Sequence, residues 1–229
     1  MSHKCRGNKG GDLSLKLPKT LRGDILIIGG GPAGMAAAIS AKRSNSKIDV
    51  VLIEKNEIMG RKLRATGNGR CNITNVNAEG YSEVISFLSS IGIVTKSNEN
   101  GFLYPVSESA ADVSELLELR LKQLGVKVYT GVTALEVSYA SDKPEFVTSV
   151  SMGDASSQGR SANALKCTVY SSALVIAAGG KSAPVYGSTG EGYRWLRGLG
   201  HTVTRLVPSL APIECDGADL SKLSGTRVR

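Results

Sequence analysis

The sequence predicts a doubly wound α/β fold built on a parallel sheet. Three observations carry that reading. A strand, a glycine-rich turn, a helix and a second strand follow one another between Asp24 and Glu54. A third apolar run, Ala173–Ala178, ends in a glycine pair. Helix-period segments lie between these runs, and alternation of this kind is the pattern of a parallel sheet crossed by helices.

The elements follow in order. Asp24–Gly29 (DILIIG) is short, Ile-rich and free of alternation, as a strand buried on both faces must be. Pro32–Arg43 (PAGMAAAISAKR) is Ala-rich and opens with proline, which suits a first helical turn. Ile48–Ile53 is a second buried strand closed by Glu54, so the crossover is expected to be right-handed. Lys55–Gly80 then reads as a long polar loop with four glycines, Gly60, Gly67, Gly69 and Gly80. Basic and amide side chains concentrate in Arg61–Asn75, which favours ligand contact over disorder. Tyr81–Gly92 reads as a helix with a glycine stop. Ser109–Leu124 is a stronger one, with Val113, Leu116, Leu117 and Leu121 on one face and Gly125 at its end. Val126–Tyr129 is a strand. Three alternating segments near 132–139, 145–152 and 165–171 predict an antiparallel β-meander, an excursion from the main sheet, with Gly153–Asn163 as a Ser- and Gly-rich linker. Ala173–Ala178 returns as a buried parallel strand, and Glu191–Leu199 as a helix.

Bulk properties narrow the class. The 229 residues are 41% hydrophobic, and no apolar run approaches the roughly 18 residues of a membrane span. The N-terminus has no apolar core like that of a secretory signal, so a cytoplasmic protein is the default expectation. The net charge is +8, and Lys4, Arg6, Lys9, Lys16, Lys19 and Arg22 supply much of it against Asp12 alone. Residues 1–23 are therefore expected to form a disordered basic arm, with a solvated tail as the favoured reading. Contact with an anionic surface or nucleic acid stays open, as does a targeting peptide, although Asp12 counts against the latter. Beyond the arm the chain is only mildly basic, and its charge gives no reason to expect a nucleic-acid partner. Cys5, Cys71, Cys167 and Cys215 form no C-x-x-C pair, and only His3 and His201 could join them, so no metal site is expected.

The chemistry sits in the first turn. Gly29-Gly30-Gly31-Pro32-Ala33-Gly34 is a G-x-G-x-x-G directly after a strand and at the start of a helix, the context a dinucleotide pyrophosphate needs. Gly29 permits the tight turn, Gly31 lets phosphate approach the backbone, and Gly34 lets helix and strand pack closely. The helix N-terminus then faces the phosphates with free N–H groups. Glu54 stands where a ribose-binding acid belongs and would repel a 2′-phosphate, which disfavours NADP at this site. NAD and FAD remain in competition. Arg61 and Lys62, beside the expected diphosphate, favour a longer contact with it.

Gly60–Asn75 (GRKLRATGNGRCNITN) resembles the hallmark of a bacterial flavoprotein family, the HI0933-like or BaiN-like NAD(P)/FAD-dependent oxidoreductases. GGGPAGMAAAI at 29–39, FLYPVSESAADV at 102–113 and AAGGKSAPVYGSTGEGYRWLRGLGH at 177–201 agree with it. The resemblance implies non-covalent FAD in a Rossmann-like, glutathione-reductase-like domain over 24–207. It places cofactor contacts on Gly29, Gly31, Gly34, Glu54, Lys55, Arg61 and Lys62, on the backbone near Ala134, and on Gly179 and Gly180. Ala178 and Ala183 depart from the Thr and Tyr frequent in relatives. The resemblance also implies that residues 208–229 begin an inserted second domain that is cut short. A C-terminal partner segment or a second copy of the chain would then complete the fold. The implied activity is a flavin-dependent reductase passing hydride from NAD(P)H to a small organic molecule. Named relatives include a bile-acid-ring reductase and an aminoacetone oxidase, so the substrate stays open. An oxygen-using oxidase and a non-catalytic FAD-binding fragment are the alternatives. No catalytic acid or base can be named. Cys71, beside Arg70 and near Arg64, reads as a packed loop residue in preference to a reactive thiol. His201 reads as a structural residue at a helix end.

Overall fold

The computed structural model describes residues 17–153 and 164–207. In chain order its elements are β1 (Thr20–Ile28), α1 (Pro32–Ser44), β2 (Val50–Ile53), α2 (Arg61–Ala65), β3 (Thr74–Asn75), α3 (Tyr81–Ser90), β4 (Thr95–Ser97), β5 (Phe102–Pro105), α4 (Ala110–Gln123), β6 (Lys127–Tyr129), β7 (Val132–Ala140), β8 (Glu145–Met152), β9 (Leu165–Ile176) and α5 (Glu191–Gly198). The main sheet has the order β6-β2-β1-β9-β8-β7. Its first four strands are parallel, while β8 and β7 run antiparallel. This is a Rossmann-like α/β fold with a mostly parallel sheet.

The two faces of the parallel strands explain their unbroken apolar sequence. Ile27, Val50 and Leu52 point to one side, against Met35, Ala38 and Ile39 of α1 and Val113, Leu117 and Leu121 of α4. Leu26, Ile28, Val51 and Ile53 point to the other, against Val132 of β7, Val150 of β8, Cys167 and Val169 of β9 and Trp195 of α5. A strand covered on both faces has no position left for a polar residue. α4 opens on Ser109, whose hydroxyl accepts the Asp112 backbone N–H, and closes on Gly125, whose φ of +70° permits the Val126 N–H to reach the Leu121 carbonyl at 3.0 Å.

Four expectations need correction. The first strand begins at Thr20, not Asp24, because Thr20–Gly23 pair with Thr168–Ser171. Leu17 is buried as well, so the basic arm expected over 1–23 is wrong for 17–23, and its remainder lies outside the described residues. The polar stretch Lys55–Gly80 contains a helix, a 3-10 turn at Thr66–Gly69 and a strand. Its β3 joins β5 and β4 in a second small sheet, whose strands of two to four residues are too short to show a period. The segment 165–171 and the run Ala173–Ala178 are not two strands, since β9 runs unbroken through Ser171-Ser172. The meander is therefore joined edge-on to the main sheet and is no separate excursion. Finally, Leu174–Ala178 are only half-buried. β8 pairs with β9 no further than Ser171, so beyond that point β9 has β1 as its sole strand partner among the described residues. The expectations for 154–163 and 208–229 lie outside the described residues.

Candidate functional site

The carboxyl ends of β1, β2 and β9 and the start of β7 surround a cleft of about 250 Å³. This is the end of a parallel sheet at which ligands bind in open α/β folds. The glycine turn forms its floor, and each glycine there has a distinct reason. Gly29 has φ of +113°, and a β-carbon on it would lie 2.4 Å from the Ala177 carbonyl oxygen. At Gly34 a β-carbon would lie 1.9 Å from the Gly29 oxygen. Gly31 is the opposite case: its backbone is extended, and a β-carbon would meet nothing within 4 Å. Gly29 and Gly34 are required by packing. The small size of Gly31 is required by nothing among the described residues and keeps the cleft open beside the first turn of α1.

Glu54 is buried, and its carboxylate is held from two sides. One oxygen accepts the Gly30 N–H at 2.7 Å. The other accepts the Asn56 N–H at 2.8 Å and the Asn56 side-chain amide at 2.5 Å. These bonds offset the cost of burying the polar carboxyl group. Three of about four acceptor directions are used, which leaves room for a ligand hydroxyl.

The predicted cations converge on the cleft from the other side, and each is bound to the segment that follows β9. Lys55 Nζ lies 3.0 Å from Glu191 Oε1 and 3.1 Å from Thr189 Oγ1. Lys62 Nζ donates to Ser182 Oγ at 2.9 Å. Arg61 donates to Asn56 Oδ1 at 2.7 Å and to the Val185 carbonyl at 3.3 Å. Burial raises the Glu191 carboxyl, but hydrogen bonds from Thr189 and from its own backbone, together with Lys55, outweigh it and hold the group below the usual carboxylate range.

Of the residues predicted to touch a cofactor, all but Gly34 and Gly180 line the cleft. Gly34 acts through packing, as its place in the motif implies. Gly180 stands next to the cleft-lining Gly179, and a β-carbon on it would lie 3.0 Å from the Tyr193 hydroxyl. Ala134 is buried in the cleft wall, next to a bulge in β7, and the neighbouring Leu135 carbonyl accepts from Trp195 Nε1 at 3.3 Å and Arg194 at 2.9 Å. Sequence reasoning missed Asn56, Ser188, Glu191 and Trp195, which also line the cleft. Nearness to Glu54 would have flagged Asn56; the others come close only through the return of β9.

Cys71 is fully buried with φ of +62°, and burial pushes its thiol up against a smaller opposing effect from Thr66. Arg64 turns away toward Glu118 at 3.4 Å, and Arg70 lies over the Tyr104 ring. Cys71 is a packed residue. The His201 side chain is exposed, and its backbone N–H closes α5 on the Leu196 carbonyl at 3.0 Å. No helix among the described residues is long and apolar enough to cross a membrane.

A family model, the HI0933-like protein Rossmann domain, matches residues 23–86 and 80–227. The chain belongs to the HI0933-like family. Among its relatives, the 3-dehydro-bile acid delta(4,6)-reductase of Clostridium scindens is 35% identical, over 89% of this chain and 50% of that protein. The ribosomal RNA dihydrouridine synthase of Haemophilus influenzae is 29% identical, over 87% of this chain and 51% of that protein. This HI0933-like chain thus spans about half the length of the curated relatives it matches. Among solved structures, THI4 of Thermovibrio ammonificans superposes with a TM-score of 0.53 at 18% identity, over 69% of this chain and 58% of that one, a likeness of fold alone.

Proposed function

We propose that this HI0933-like chain binds FAD by its adenosine diphosphate half and serves a reductase that passes hydride from NAD(P)H to a carbon–carbon double bond of an organic substrate. The observation that carries the cofactor reading is the contrast within the glycine turn: Gly29 and Gly34 are crowded by backbone, while Gly31 is open toward the cleft. A turn of this shape admits a diphosphate to the N-terminus of α1. Glu54 would accept a ribose hydroxyl, Arg61 and Lys62 would face the phosphates, and the β7 backbone near Ala134 would meet the adenine. Bound FAD supplies the two-electron chemistry, and the protein supplies binding, orientation and charge.

The relatives support the reductase reading by their names. A delta(4,6)-reductase and a dihydrouridine synthase each add hydrogen across a carbon–carbon double bond. The outer edge of β9 beyond Ser171 supports a place for a further strand, since an apolar edge of this kind is a template for pairing. We assign that place to a segment from the other half of the relatives' length.

The test is anaerobic mixing of the chain, FAD and a separately expressed second-half segment with NADPH or NADH. Bleaching of the flavin absorbance, followed by reoxidation on adding an unsaturated carbonyl compound, supports the reading. Bleaching reversed by oxygen alone makes the protein an oxidase. Absence of bleaching with both donors overturns the reductase assignment.

A further inference from the structure

We propose that Asn56 is a positioning residue that joins the two halves of dinucleotide recognition, locking the ribose-facing carboxylate of Glu54 and the phosphate-facing guanidinium of Arg61 into one hydrogen-bonded unit. The inference rests on the FAD reading above. Glu54 directly follows β2, and Arg61 is the first residue of α2, so no shared element orients them. Asn56 spans the gap. Its side-chain NH₂ donates to Glu54 Oε1 at 2.5 Å, and its side-chain oxygen accepts from Arg61 Nη1 at 2.7 Å. Its backbone is pinned at both ends: the N–H donates to the same Glu54 oxygen at 2.8 Å, and the carbonyl accepts from Gly131 at 3.1 Å, just before β7.

The amide suits this position for a chemical reason. One group must donate to an anion while accepting from a cation, and a neutral amide does both at once. Aspartate would place a second negative charge against Glu54. Alanine would release both partners. Glutamine would displace the amide by a methylene. The opposite side of Asn56 is also shaped to it, since a β-carbon on Gly187 would lie 3.0 Å from the Asn56 amide nitrogen. Glu54 and Arg61 are therefore held in place in advance, and a ligand that meets both does not have to order them.

The experiment is calorimetric titration of the chain with FAD and with ADP, together with melting temperatures. The proteins are wild type, Asn56→Ala, Asn56→Asp, Glu54→Gln/Arg61→Ala, and that double variant with Asn56→Ala added. Asn56→Ala is expected to weaken both ligands about tenfold, the loss of hydrogen bonds to charged groups, and Asn56→Asp more than that. With Glu54 and Arg61 already replaced, removing Asn56 is expected to change affinity by less than about twofold, because the two charged groups it positions are gone. Unchanged affinity in Asn56→Ala overturns the proposal. So does a tenfold loss that persists in the double-variant background, which marks a merely structural residue. A wild-type chain that binds neither FAD nor ADP defeats the cofactor reading, and the role of Asn56 falls with it.

Discussion

The α-carbon of Gly34 packs so closely on Gly29 that a methyl group there would stand 1.9 Å from the Gly29 carbonyl oxygen. Two residues of one motif therefore fail in different ways when substituted. Gly34→Ala forces α1 away from the turn and is expected to destabilise the fold by about 1–3 kcal/mol or more. Gly31→Ala meets no atom of the described residues and adopts an ordinary extended backbone, so its stability should change by no more than about 0.5 kcal/mol while dinucleotide affinity collapses. Urea denaturation and ADP titration of both variants separate the effects.

The N-terminal boundary makes a second test. Leu17 is buried against the second core cluster, and Thr20–Arg22 pair with Thr168–Tyr170. Arg22 also pairs with Glu145 at 2.9 Å and lies over the Tyr170 ring. A chain starting at Gly23 should thus be less stable than one starting at Leu17 by about 2 kcal/mol or more, chiefly through the lost burial of Leu17 and Leu21. Equal melting temperatures for the two truncations would show that this strand extension contributes nothing.

The Lys55–Glu191 pair predicts a pH dependence. Against the opposing effect of burial, Thr189, the backbone of Glu191 itself and then Lys55 hold the folded carboxyl below its usual range, so the ionised group stabilises the fold above the ordinary carboxylate range, and that stability is lost as pH falls through the depressed value. Both side chains are about a third exposed, which limits the effect to about 1 kcal/mol or less. Glu191→Gln should be less stable than wild type near pH 7, and the difference should close as pH drops below about 4. A constant difference across that range would mean that the charge of Glu191 is not involved.

What could be read from the residues follows from physical range. β1, α1 and β2 are contiguous and fully apolar, and their glycines carry a known mechanism, so the turn and Glu54 were legible. Arg61 and Lys62 were legible as cations close in sequence to the glycine turn and Glu54, and Lys55 through the family resemblance; all three line the cleft. Their partners Thr189, Val185 and Ser182 were not, because contacts more than a hundred residues apart leave no local period. Thr20–Gly23 were misread because composition outweighed pattern: two basic residues and a threonine surround a strand that shows only half its face to the core. The continuity of β9 was missed because the end of the meander and the parallel strand looked like separate tasks, yet Ser171-Ser172 contains nothing that forces a turn.

Competitive titration with FAD, ADP and FMN decides whether this cleft reads the adenosine diphosphate half of FAD, as proposed. FAD and ADP are expected to displace each other, FMN to bind at least about tenfold more weakly, and Glu54→Arg to reduce the first two affinities by at least as much while leaving FMN unchanged, in line with loss of hydrogen bonds to a buried carboxylate. FMN binding as tightly as FAD, or ADP failing to displace FAD, would contradict it.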